Sequence, residues 1–284
     1  MAKKQLHMND TYQKNFAQLF NSVSLRHSRW EVWADFVVMS AIDISNIVDS
    51  SHAEERTEAY KRLAGKYEEQ ELTCFAQMLA ETIMSMDEHP DQDFLGDLFM
   101  RLDLGNDRTG QFFTPYSVSR LMAELNACDE NLEKRVQKRG WFGVCDPTCG
   151  AGGLLVAFAN ACQKRHINYQ ADVLFVGQDI DYIAGCMCYL QLSLMGCPGY
   201  VVIANTLSNP ALCLDERGLI PAPAPNIWYT PFYFRAEWHY RRIFANLEYL
   251  VDASIAHYQK TAPEEKPITL SVREGTTDGQ LTLF

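Results

Sequence analysis

Apolar residues recur every three or four positions through Trp33, Val37, Ala41, Ile44 and Val48, which places them on one face of a long helix. A second helical pattern runs from about Glu54 to Met86, with Leu63, Tyr67, Cys74, Met78 and Leu79 apolar. The polar, proline-containing stretch "DEHPDQD" (87–93) breaks it, and "FLGDLFMRLDL" resumes a short helix. From Trp141 the texture changes. "WFGVCDP", "ADVLFVGQDI" and "YVVIANT" read as strands, with helices through "GLLVAFANACQKR" and "AGCMCYLQLSLMG" between them. A short fourth strand is expected around Ile227 to Tyr229, and "AEWHYRRIFANLEYLVDASIAHYQK" reads as a closing helix.

Near-continuous apolar strands alternating with helices predict an α/β fold, a parallel sheet with helices on its faces. The expected organisation is a helical region over 1–93, an α/β domain over 94–258 and a polar tail over 259–284. A complete doubly wound sheet has several more strands than the pattern supplies.

The chemistry concentrates in "VCDPTCGAGGLLVAF" (144–158), which reads as strand, tight turn and helix. Ligands of parallel sheets bind beyond the carboxyl ends of the strands, where this turn lies. A phosphate-binding P-loop needs Gly-Lys-Ser/Thr after its glycines, and Leu154-Leu155 stand there instead. A dinucleotide fingerprint starting at Gly150 is met at Gly152 but has Leu155 where its third glycine belongs. The remaining reading is S-adenosylmethionine, which carries no phosphate. It calls for an acidic residue ending the next strand to accept from the ribose hydroxyls, and Asp179 of "GQDID" stands at that point. The plain alternative is that Asp179 caps the helix that follows.

"GQFFTP" (110–115), "DPTCGAGG" (146–153) and "GQDID" (177–181) resemble the successive motifs of the adenine-N6 DNA methyltransferases, and most closely the modification (M) subunits of type I restriction systems. The resemblance covers residues 94 to about 210. It implies a Rossmann-like methyltransferase sheet, here truncated, and S-adenosylmethionine as cofactor. Phe113, Thr114 and Pro115 would line its methionine end, Asp146, Gly150 and Gly152 would form the turn, Asp179 would hold the ribose, and Asn205 would lie near the adenine ring. A structural role for "FFTP" as a helix start, with Thr114 capping and Pro115 in the first turn, is compatible with that.

The family's catalytic Asp/Asn-Pro-Pro-Tyr/Phe is missing. In that motif the carboxamide or carboxylate and a prolyl carbonyl accept from the adenine amino group while the ring stacks on the flipped base. "SNPAL" (208–212) has no second proline or aromatic residue, and "YTPFYF" (229–234) has Thr230 where the carboxamide belongs. Two readings stay open: an adenine methyltransferase that uses Thr230, Pro231 and Phe232, or a degenerate cofactor-binding relative that serves as a regulatory or partner subunit. A small-molecule or protein methyltransferase shares the glycine turn, but "GQFFTP" speaks against it.

The formal net charge of −11 changes the picture of DNA binding. Phosphate neutralisation supplies most DNA affinity, so the chain is expected to grip DNA weakly or with a partner, such as a specificity subunit. Nine cysteines, an odd count, read as free thiols of a cytoplasmic protein rather than a disulfide framework or metal ligands. The last residues, "QLTLF", follow a polar stretch and resemble the peptide that attaches bacterial polymerases and repair proteins to the sliding clamp. That resemblance makes Leu283 and Phe284 the anchors, with Leu281 beside them and Gln280 at the rim.

Overall fold

The computed structural model describes residues 11–104, 113–128, 131–215, 217–224 and 226–261. Five helices come first: α1 (Thr11–Val23), α2 (Arg29–Val48), α3 (Ala53–Ala64), α4 (Glu69–Glu88) and α5 (Phe94–Arg101). The pattern expected as one helix over 54–86 is two, α3 and α4. Local capping explains the break: Glu68 and Glu71 form a reciprocal capping box that starts α4, and Gly65 closes α3. The apolar stripe of α2 turns inward, so Trp33, Phe36 and Val37 are fully buried together with Phe16 and Phe20 of α1.

The second part runs α6 (Tyr116–Ala127), α7 (Asn131–Arg139), β1 (Phe142–Asp146), α8 (Gly153–Lys164), α9 (Tyr169–Asp172), β2 (Val173–Asp179), α10 (Tyr182–Leu194), β3 (Gly199–Ile203), β4 (Ile227–Tyr229) and α11 (Ala236–Thr261), with a short 3₁₀ turn at Pro231–Phe234. The sheet has the order β1-β2-β3-β4. Strands β1, β2 and β3 are parallel, as the alternation predicts. Strand β4 is antiparallel to β3, with Tyr200 opposite Tyr229 and Val202 opposite Ile227. The expected parallel sheet thus ends on an antiparallel strand. A parallel return needs a crossover, usually a helix, and the described residues between β3 and β4 form none.

Side chains alternate across the sheet. Val173 and Phe175 of β2 enter the core shared with α8, α10 and the N-terminal helices, whereas Leu174 and Val176 face a second cluster with Tyr200, Tyr233 and Trp238. Helices therefore cover one face. The other is covered by the 211–224 segment, the 3₁₀ turn and the first turns of α11.

By its contacts the chain divides into Met1–Asn246 and Leu247–Phe284. The helical region and the sheet thus fall within one compact unit, and Arg56 links them. Its guanidinium donates to Asp49 Oδ2 at 2.9 Å, to Ser45 Oγ and to the Ile227 carbonyl at 2.6 Å, and lies 3.9 Å over the Trp228 ring. Residues 262–284, and with them Gln280, Leu281, Leu283 and Phe284, lie outside the described residues. No described helix is long and apolar enough to cross a membrane.

Candidate functional site

The end of β1 runs into the turn Asp146-Pro147-Thr148-Cys149-Gly150-Ala151-Gly152. Gly150 and Gly152 have φ of +52° and +92°, backbone that residues with a Cβ rarely adopt. The turn is fastened to the neighbouring strand, because the Cys149 amide donates to the Gln178 carbonyl at 2.8 Å. Gly152 then starts α8, its carbonyl accepting from Val156 N–H at 2.9 Å.

Asp179, at the end of β2, is 9% exposed. Its Oδ2 accepts from Gly150 N–H at 2.8 Å and its Oδ1 from Asp181 N–H at 2.9 Å. The cap of α10 is Asp181, which accepts from Ala184 N–H at 2.8 Å. Asp179 is therefore not the helix cap. It braces the glycine turn, and each carboxylate oxygen keeps capacity for a further donor. Asp146 accepts from Thr148 N–H at 3.1 Å. Burial, and then the charge of Asp179, hold its carboxyl above the usual range, against the pull of the Thr148 amide.

Phe113 packs on this turn. A Cβ added to Gly150 would stand 3.0 Å from its ring, which also lies 5.0 Å from Phe99. Helix α6 begins at Tyr116 with Pro115 in the capping position and no side-chain cap, so Thr114 does not cap it. Instead Thr114 lines the cavity over the turn.

That cavity, of about 360 Å³, brings together Phe113, Thr114, Asp146, Gly150 and Asp179. Pro115 lines an adjoining cavity, and Gly152 lies behind the turn against Cys188. Asn205 is not a lining residue. It is exposed beyond β3, with its side-chain oxygen accepting from Leu207 and Ser208 N–H at 2.9 and 3.3 Å. The neighbouring Thr206 ties that loop to the Pro147 carbonyl at 2.5 Å.

Sequence reasoning missed Asp93, Ser119 and Met122, which complete the wall. The signal for Asp93 was a helix cap: an Asp three residues before Gly96, whose N–H it accepts at 2.9 Å. Gln191 of α10, also missed, is fully buried. It donates to Asp93 Oδ1 at 2.8 Å and to the Ala151 carbonyl at 2.7 Å, tying α5 to the glycine turn.

The described lining holds three carboxylates and no Lys, Arg or His. Such a cavity repels a phosphate and attracts a cation. S-adenosylmethionine bears a sulfonium and an ammonium, so a lining of carboxylate acceptors fits it.

Thr230, Pro231 and Phe232 are not brought to this cavity. Because β4 is antiparallel, its C-terminal end lies at the start of β3, opposite the glycine turn. Thr230 is 0% exposed. Its hydroxyl donates to the Cys197 carbonyl at 2.7 Å and accepts from Gly199 N–H at 3.0 Å. The Phe232 ring packs at Gly196 and under Arg235. Thr230→Val is expected to lower stability by about 1–3 kcal/mol, the cost of unpaired buried groups, and to leave cofactor affinity unchanged; denaturant melts and calorimetry check both.

Among solved structures, a protein assigned as a class I S-adenosylmethionine-dependent methyltransferase from Listeria monocytogenes is similar at 17% identity and a TM-score of 0.41 over 71% of this chain and 56% of that one. The type I restriction-modification system methyltransferase subunit from Streptococcus thermophilus is similar at 23% identity and a TM-score of 0.39, over 68% of this chain and 40% of that one. The chain thus spans less than two thirds of either, and none of the curated proteins matches it. The match that decides is to a family: residues 93–249, over half of the chain, fit the N-6 DNA methylases, and the chain belongs to that family of S-adenosylmethionine-dependent methyltransferases.

Proposed function

We propose that this chain is the S-adenosylmethionine-binding component of a DNA adenine-N6 methylation system of the restriction-modification kind, acting on DNA with a partner subunit. The observation that carries the reading is the anionic cavity over the glycine turn, with Asp179 braced on Gly150. In it Asp179 would take the ribose hydroxyls, Phe113 and Thr114 the methionine end, and the bare backbone at Gly150 the close approach of the cofactor. When bound, S-adenosylmethionine supplies an electrophilic methyl group. What this chain's own residues do is bind it, orient it and keep phosphate-bearing nucleotides out.

A partner follows from charge. With a formal net charge of −11 the chain as a whole repels the DNA backbone. A second reading, a cofactor-binding subunit without methyl transfer of its own, draws support from the position of Thr230, whose hydroxyl is spent on backbone groups at the far end of the sheet. The lining of the cavity contains no carboxamide among the described residues to orient an adenine amino group.

The test incubates the purified chain with methyl-labelled S-adenosylmethionine and DNA, with and without extract of the source cells, followed by digestion to nucleosides. The primary reading expects labelled N6-methyladenine when extract supplies the partner, lost on Asp179→Ala. Label that never enters DNA, alongside intact cofactor binding, selects the second reading.

A further inference from the structure

Asp93 is 5% exposed and caps the N-terminus of α5. Both donors that hold it, Gly96 N–H at 2.9 Å and Gln191 Nε2 at 2.8 Å, reach Oδ1. Oδ2 meets no donor among the described residues. It lies between the starts of α5 and α8, against Gly96 and Gly153, and a Cβ on Gly153 would come within 2.7 Å of it. Asp93 also lines two cavities at once: the one over the glycine turn, and a neighbour of about 460 Å³ that shares Phe113 and Thr114 as a wall. No basic side chain lines either cavity among the described residues.

A carboxylate this deep costs free energy unless something compensates it. The helix end and two hydrogen bonds compensate one oxygen. The other keeps capacity for a donor, and a cationic donor can reach Asp93 from the cavity it lines. S-adenosylmethionine has two cationic groups, but only its ammonium carries N–H donors; the sulfonium has none. Position agrees with chemistry. Asp179 holds the Gly150 end of the turn and Asp93 lies against Gly153, at the other end. A ligand whose ribose sits at Asp179 and whose methionine chain follows the turn brings its ammonium toward Asp93.

We infer that Asp93 Oδ2 accepts the α-ammonium of S-adenosylmethionine, making Asp93 a binding residue for the amino-acid end of the cofactor. The inference rests on the cofactor reading above. It assigns to a residue outside the three recognisable motifs the discrimination between ligands with and without a free amino group.

The test is Asp93→Asn, which keeps an oxygen for Gly96 and Gln191 and replaces Oδ2 by an N–H donor. Calorimetry compares S-adenosylmethionine, S-adenosylhomocysteine (ammonium without sulfonium) and 5′-methylthioadenosine (neither group). The expected result is a loss of roughly 10- to 100-fold for the first two, as for a hydrogen bond to a charged group, with methylthioadenosine unchanged. Equal loss for all three ligands, loss confined to S-adenosylmethionine, or no loss would overturn the inference. A native chain that binds none of the three removes the cofactor reading, and this inference with it. If the variant fails to fold, the native chain still decides: a des-amino analogue of S-adenosylhomocysteine must bind roughly 10- to 100-fold more weakly than its parent, and equal affinity overturns the assignment.

Discussion

Gly152→Ala is expected to destabilise the chain by about 2–4 kcal/mol and to weaken S-adenosylmethionine binding at least tenfold, by two separate effects. The first is backbone strain: at φ +92° an alanine pays about 1–2 kcal/mol that glycine does not. The second is space. A Cβ at this position would lie 2.9 Å from Cys188 Sγ and 3.1 Å from Cys188 Cα. The sulfur can swing away, but the Cα belongs to the backbone of α10, itself packed against the sheet. So the turn must move, and it carries Gly150 and the Asp179 contact with it. Thermal melts report the strain, and calorimetry reports the displaced site. Unchanged melting with unchanged affinity would show that the turn tolerates a side chain there.

Arg56→Ala is expected to cost about 3–5 kcal/mol, the range for breaking a buried ion pair by removing one partner. Asp49 is 3% exposed and would keep its charge without the guanidinium. Burial raises the Asp49 carboxyl, but hydrogen bonds from Ser51 and His52 and the charges of His52 and Arg56 outweigh it and leave it below the usual range. The same substitution uncovers the Ile227 carbonyl and the face of Trp228, loosening the attachment of the N-terminal helices to β4. Denaturant unfolding measures the loss. Adding Asp49→Asn to Arg56→Ala should restore part of it, since much of the cost is the stranded charge. A double variant less stable than Arg56→Ala would refute that origin.

Much of the fold was legible because it is written in local pattern. Strands β1 and β2, the glycine turn between β1 and α8, and the helix through Trp33 and Val48 each follow from periodicity and from glycines where the backbone turns. The direction of β4 is different in kind. Its residues read as a strand whichever way it runs, and only the connection decides. The proline-rich 206–226 segment without a helical period was the sign of the connection seen, which forms no helical crossover among the described residues. A parallel β4 would place Thr230 at the ligand end of the sheet. Reversing it sends Thr230 to the opposite end, where its hydroxyl closes the backbone of Cys197 and Gly199.

The candidate site divides the same way. Gly150 and Asp179 were legible because each lies in a short motif, and the structure brings both to one cavity. Asp93 and Gln191 were not, because what brings them to the turn is the packing of α5 and α10, a contact across 98 residues. Arg56 is the extreme case. Nothing near it in sequence announces that its guanidinium reaches a carbonyl 171 residues away.

The cavity over the glycine turn should take a cationic adenosyl ligand and refuse an anionic one. Titrating S-adenosylmethionine and adenosine diphosphate separately into the native chain tests it most directly. The expected result is saturable, one-to-one heat for S-adenosylmethionine, lost on Asp179→Ala, and none for the diphosphate at the same concentration. No binding of S-adenosylmethionine, or equal binding of the diphosphate, would contradict it.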